Sequence, residues 1–443
     1  MGSRAGRLKR TTALLVSAAL VLGLAACTGA GAAPQAPAQA GGSLPTDVTK
    51  QLQTAVTDAM TRAGASGAIV GVWAPWAGSW TAGLGTVSTD KGAANMSTSM
   101  SFRIASNTKS MTCTVLLALV DGGQVALADP VSKYLPRMVG LGGITLGQLC
   151  QNTSGIADYE PSLAAQFVTN PTRQWIPMEL ISDGLAEPLA GNPGVQFAYS
   201  NTGFVLLGMA LQAATGRSWS DLYQAYVWGP LGLKHTSLPD SGVLTLPSPH
   251  AEGYASALDA SGQPICDTVL NDTQLSPSIG WTAGGVVSTL GDLKTYVQAL
   301  AGGTLVSAAS SKAQWATVPL SGSAPTWQGY GLGVVTLGPM RGHDGDIPGF
   351  ISAMMTEPKS GLTVVVMLNN STVGGGFAQL LGMQLASIAS KVPAVSGSKA
   401  PVIALPWSAE QAKQAMDENT ICPPKGVTPA PANTAVPVPQ SAD

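Results

Sequence analysis

The sequence predicts an α+β fold: an antiparallel sheet assembled from both ends of the chain and flanked by helices, with a helical lobe inserted between them. Three observations predict it. Strand-like apolar runs occur at residues 68–73 and 80–87, and then not until 329–337, 350–357 and 362–369. The middle, roughly 127–274, reads as helices joined by long loops rich in Pro and Gly. Strands contributed by both termini with helices between them suit a sheet plus an inserted lobe, and the cleft between the two is the expected place for a site.

In chain order, residues 46–62 have helical periodicity, with a capping-type start at 43–47. The runs 68–73 and 80–87 form a hairpin pair across the turn at 75–79. Residues 111–120 make an apolar helix closed by Gly122-Gly123. Helices are expected at 204–214 and 219–226 in the lobe, and at 377–389 after the last strand. Lys359-Ser360-Gly361, between two apolar runs, is turn chemistry. The folded region is expected to span 46–392. Beyond it, 393–443 is rich in Pro, Ala and Ser and is expected to be largely disordered, apart from a short helix near 408–416.

The start of the chain predicts export. Arg4, Arg7, Lys9 and Arg10 precede an apolar run at 13–26 with no acid before it. That run is shorter than the roughly 20 residues of a spanning helix and fits a secretory signal. It ends in Leu24-Ala25-Ala26-Cys27, which resembles a bacterial lipobox. Residues 1–26 are therefore expected to be a lipoprotein signal peptide, Cys27 the lipidated N-terminus, and 27–45 a flexible tether. The protein would then be extracytoplasmic and anchored to the membrane by its lipid. The alternative is a signal cut elsewhere, with Cys27 a bystander.

Loss of residues 1–26 removes four of 22 basic residues and none of 24 acids, leaving a net charge of −6. That balance gives no electrostatic footprint for nucleic acid. Cys113, Cys150, Cys266 and Cys422 remain; an even number outside the cytoplasm favours disulfides, with three connectivities. Cys113–Cys150 with Cys266–Cys422 is preferred, because the first two lie in apolar segments near each other in sequence; free buried thiols are the alternative. No pair has Cys-x-x-Cys spacing and His235, His250 and His343 are scattered, so no metal site is expected.

Three short motifs carry chemistry. Ser106-Asn107-Thr108-Lys109 lies where a polar segment enters the apolar helix. A serine there has a backbone N–H able to bind a developing oxyanion, and Lys109 on the same helical face can ease deprotonation of its hydroxyl. Ser-x-x-Lys alone is weak, since Ser88-Thr89-Asp90-Lys91 and Ser396-Gly397-Ser398-Lys399 share the form, and the plain reading of Ser106 is a helix cap. Tyr199-Ser200-Asn201 supplies a Tyr-x-Asn before an apolar helix; a tyrosine acting as a base needs a cation beside it, which Lys109 could be. Gly342-His343-Asp344-Gly345, followed by Asp346, is the single His-x-Gly in the chain.

These motifs, in this order, resemble the serine β-lactamase and D-alanyl-D-alanine carboxypeptidase family on its class C side. Phe102-Arg103-Ile104-Ala105-Ser106, Gln151-Asn152-Thr153-Ser154-Gly155-Ile156, Ala283-Gly284-Gly285 and Gly329-Tyr330-Gly331-Leu332-Gly333 add to the resemblance, which runs from about residue 52 to 391. It implies that Ser106 attacks an amide or ester carbonyl and that Lys109 and Tyr199 handle the proton. It further implies that Asn201 binds the substrate amide, that His343 supports Tyr199 electrostatically, and that the N–H groups of Ser106 and Asp346 form the oxyanion hole. Gly345 and the acids around it would line the substrate strand. No cofactor is implied. The expected partner is a small-molecule or peptide substrate, such as a peptidoglycan stem peptide, and the expected state is a monomer.

The chain departs from the family at Asp344 and Asp346. Strand alternation puts them on one face, opposite His343 and Gly345, and in the family that face meets the substrate. Each would oppose a substrate carboxylate about 4 Å away by roughly 1 kcal/mol in water and about 4 kcal/mol at an effective dielectric of 20. A neutral or cationic donor is therefore expected: an ester, an amide or an amino-bearing peptide. Carboxypeptidase, D-amino-acid peptidase, esterase and β-lactamase activities stay open, as does a non-catalytic envelope-binding protein on the same fold. Trp281 reads as core packing in preference to a cleft wall.

Overall fold

The computed structural model describes residues 42–320 and 324–422. Residues 1–41, which include the expected signal peptide, Cys27 and most of the expected tether, and residues 423–443 lie outside the described residues. Among the described residues, no helix is long and apolar enough to cross a membrane.

Helix α1 (Thr46–Ala63) opens at Pro45 without a side-chain cap, so the capping start expected at 43–47 is corrected. The fixed φ of proline and Asp47 in the first turn serve there instead. Strands β1 (Gly67–Ala74) and β2 (Gly78–Gly85) form the expected hairpin. Then come β3 (Ser101–Arg103) and helix α2 (Asn107–Asp121), which begins earlier than its apolar stretch because Asn107, Thr108 and Lys109 are themselves buried. The lobe contains the Asn201–Thr215 helix, β4 (Tyr254–Leu258), β5 (Pro264–Asn271) and β6 (Val287–Thr289). The chain returns through β7 (Gln328–Tyr330), β8 (Val335–Leu337), β9 (Met340–Ile347), β10 (Phe350–Thr356) and β11 (Thr363–Leu368) to the Gly375–Ala389 helix.

The main sheet is seven-stranded, in the order β2-β1-β11-β10-β9-β8-β7, so strands from both ends of the chain meet at β1 and β11. Both faces are covered. Val365 and Met367 of β11 pack into the core shared with the lobe and α2, while Val364, Val366 and Leu368 pack against α1 and the Gly375–Ala389 helix. Double burial explains why this strand is continuously apolar instead of alternating. Each such side chain contributes roughly 1.5–3 kcal/mol.

Three sequence expectations are corrected here. The strand expected over 329–337 is two strands, broken by a turn in which Gly331 N–H bonds Val334 O at 2.8 Å. Gly333 in that turn has φ 67°, and a Cβ on it would lie 2.6 Å from Lys109 O, so the turn presses directly on α2. The lobe is not purely helical: β3 pairs with β6 and β4 with β5, and β5 escaped notice because it is exposed along most of its length and shows no alternation. The extension beyond 392 is folded through Cys422. Its Ala409–Glu418 helix buries Ala412, Ala415 and Met416, and Trp407 Nε1 donates to Met383 O at 2.9 Å. The disulfides are Cys113–Cys150 and Cys266–Cys422, the preferred pairing.

Candidate active site

The turn into α2 positions Ser106. Ala105 has φ 48°, a left-handed conformation uncommon for a residue with a Cβ. Ser106 follows at the N-cap position, yet its hydroxyl makes no capping bond. Tyr199 OH donates to Ser106 Oγ at 2.7 Å and Lys109 Nζ donates to it at 2.9 Å. The first two sequence motifs thus converge on one oxygen.

Lys109 is fully buried. Its Nζ also donates to Asn201 Oδ1 at 2.6 Å and to Ala283 O at 3.0 Å, which accounts for all three ammonium hydrogens. Burial lowers its pKa to about 7, against the pull of Asp158, Glu160 and Asp344. Tyr199 moves the other way: burial, then Tyr330, raises its pKa well above 10, so near neutrality it is a phenol that donates. The Lys109 ammonium lies 4.6 Å from the centre of the Tyr199 ring. That contact does not turn the tyrosine into a resting base, as the sequence reading allowed. The low-pKa group beside Ser106 is the lysine.

Asn201 is held by protein. Its Oδ1 accepts from Lys109, and its Nδ2 donates to Asp158 Oδ2 at 3.0 Å and to Glu160 Oε2 at 2.6 Å. The amide expected to hold substrate instead links the lysine to two carboxylates. Burial raises the Asp158 pKa.

His343 is buried, and its Nδ1 lies 2.6 Å from Asp344 O. A carbonyl only accepts, so Nδ1 carries the proton and Nε2, 3.1 Å from Tyr330 OH, accepts. Burial, then Lys109, lowers its pKa to about 3, so the ring is neutral. The support expected of His343 for Tyr199 therefore brings no positive charge. Tyr330 stands between them, its ring edge-on to both, with centroids 6.3 Å from Tyr199 and 5.7 Å from His343.

The outlook of β9 is also corrected. A Cβ on Gly345 would lie 2.6 Å from Ile104 O and 2.7 Å from Ser106 N, so the glycine face is the one that meets the nucleophile. Asp344, on the opposite face, is buried and accepts from Gln379 Nε2 at 3.1 Å, on the helix behind the sheet. Asp346, at the strand end, is only partly buried and reaches the rim of the site.

A small pocket of about 30 Å³ lies at Ser106, with Glu160, Asn201 and Asp346 in its wall. It shares Glu160, Phe167 and Asp346 with an adjoining cleft of about 480 Å³. The charged side chains of both are carboxylates; among the described residues no Lys or Arg lines either. Trp281 lines neither. Its ring packs at Gly208, while Gly280 and Gly284 on either side of it reach the pocket. Asn152 Oδ1 accepts from Ser200 N and so shapes the Tyr199 turn.

Sequence reasoning missed Asp158, Glu160 and Tyr330. The two acids are the sole charged residues between Arg137 and Arg173, a signal available in the sequence.

The family model described as Beta-lactamase matches residues 52–384. The D-alanyl-D-alanine-carboxypeptidase/endopeptidase AmpH of Escherichia coli K12 is 31% identical over 61% of this chain and 71% of its own length. A D-stereospecific amidohydrolase from Streptomyces sp. superposes with a TM-score of 0.62 at 30% identity, covering 72% of this chain and 94% of the other. A D-amino acid amidase from Ochrobactrum anthropi SV3 gives a TM-score of 0.65 at 25% identity, over 77% and 97%.

Proposed function

Because the chain belongs to the beta-lactamase family of serine hydrolases, we propose that it cleaves amides of D-amino acids through an acyl-Ser106 intermediate, and that its donors carry a free amino group. The observation that carries this reading is the charge of the site: a hydroxyl bonded by both Lys109 and Tyr199, in a pocket whose charged walls are Glu160 and Asp346.

The neutral Lys109 amine takes the Ser106 proton as Oγ attacks the carbonyl. The N–H of Ser106, at the start of α2, and that of Asp346 on β9 receive the oxyanion. Gly345 lets β9 approach closely enough for both to serve one oxygen. Tyr199 gives its phenolic proton to the departing amine and recovers one from the Lys109 ammonium. Water then attacks the ester by the reverse route and frees Ser106. Tyr330 and neutral His343 hold Tyr199 in place.

The acids set the donor. A substrate ammonium about 4 Å from one carboxylate gains roughly 4 kcal/mol at an effective dielectric of 20, and a substrate carboxylate loses as much. A carboxypeptidase reading, suggested by the AmpH relative, is disfavoured because a terminal carboxylate would face Glu160 and Asp346 with no Lys or Arg among the described lining residues to offset them.

The test compares D-alanine amide, N-acetyl-D-alanine amide, a D-alanyl-D-alanine peptide and benzylpenicillin on the purified protein. The free amide should exceed its N-acetyl form in kcat/KM by about ten- to a hundredfold, the range of one charge-assisted hydrogen bond. Glu160→Gln with Asp346→Asn should shrink that ratio. Faster turnover of the peptide or of penicillin would replace this reading with a carboxypeptidase or a β-lactamase.

A further inference from the structure

The 480 Å³ cleft beside the nucleophile has a wall that the family match does not provide. One side comes from the Glu160–Thr169 helix, through Phe167 and Val168, and another from the β4–β5 hairpin, through Leu258 and Pro264. Ile421 lines it as well. This residue lies well beyond position 384, where the match ends, and the next residue, Cys422, is disulfide-bonded to Cys266 of β5. The bridge ties a tail packed behind the main sheet to a hairpin of the lobe, across 156 residues of chain. Ile421 is fixed by its neighbour and still 48% exposed. Ile421 thus adds an apolar side chain to the lining of a cleft whose volume falls within the roughly 300–1,000 Å³ of small-ligand sites.

We infer that Ile421, held in place by the neighbouring Cys266–Cys422 disulfide, forms one wall of an acyl-donor subsite and selects donors with a bulky apolar side chain. The inference rests on the function proposed above. With the donor's ammonium at Glu160 and Asp346, where the small pocket opens into the cleft, the substituent on its α-carbon enters between Phe167 and Ile421. An aromatic side chain removes apolar surface from water on both walls. A methyl group covers much less of either.

The experiment measures binding of D-phenylalanine amide and D-alanine amide to the full-length Ser106→Ala protein by calorimetry, and kcat/KM for both with Ser106 intact. Each measurement is repeated with Ile421→Ser, with Cys266→Ser plus Cys422→Ser, and with Val402→Ala, an exposed tail residue away from the cleft, as the control. The preference for the phenylalanine amide should fall roughly tenfold in the first two and persist in the control, the size of effect expected for partial loss of an apolar wall. A preference unchanged in both wall variants, or no binding of either amide, overturns the inference. If one variant melts early, the other decides. Should binding shift as expected while the Ser106 protein hydrolyses neither amide, the subsite stands and the proposed activity falls.

Discussion

At Lys109, burial and charge pull in opposite directions, and burial wins: its pKa drops to about 7 despite three acids nearby. The lysine is therefore poised to exchange a proton near neutrality, where general-base catalysis is most effective. kcat/KM for an amino-bearing donor should rise with pH through about 7 and fall again as the donor's own ammonium deprotonates at about 8, and Lys109→Met should lower it by roughly 10²–10⁴-fold. Stability carries the same signature. An unfolded lysine keeps its proton to about 10.5 whereas the folded one releases it near 7, so this residue makes stability increase with pH between those values. Urea midpoints at pH 6.5 and 8.5 check the sign. Gly345 gives a second residue-scale expectation. A methyl group there would meet Ile104 O and Ser106 N inside 3 Å, so Gly345→Ala should lose most of its activity while the thermal midpoint shows whether the fold persists.

At the scale of elements, the motif order was legible and its surroundings were not. Ser106, Lys109 and Tyr199 could be found because each sits where a polar segment runs into an apolar helix, and that pattern is local. Strand alternation put Asp344 and Asp346 together, but the structure buries Asp344 against Gln379 behind the sheet while Asp346, at the strand end, lines the pocket. Which face meets α2 depends on packing, and the clue was that close backbone approach requires glycine, as at Gly345. Asp158 and Glu160 reach Asn201 across about forty residues of chain, a contact no local pattern encodes. The β4–β5 hairpin was missed because its outer strand buries almost nothing. The helix behind the sheet is the opposite case: Phe377 is 1% exposed in a helix buried on nearly every side. Phe377→Ala should cost about 3–5 kcal/mol, read from urea midpoints at unchanged m-value.

Across the whole molecule, the sheet joins both chain ends, and the site lies where that sheet meets the lobe. The two-ended sheet was readable because β1 and β11 are apolar throughout. The tail was readable in part: its short helix and the Cys266–Cys422 bridge were expected, but a run rich in Pro and Ala gave no sign that Trp407 and that helix pack on the body of the protein. The central claim is that Ser106 becomes acylated by a donor bearing a free amino group. Its most direct test is rapid-quench intact-mass analysis of the full-length protein with D-phenylalanine methyl ester, whose good leaving group favours build-up of the acyl-enzyme. The account predicts a D-phenylalanyl adduct that maps to Ser106, is absent from Ser106→Ala and forms faster than with the N-acetyl ester. Hydrolysis undiminished in Ser106→Ala, or faster acylation by the N-acetyl ester, would contradict it.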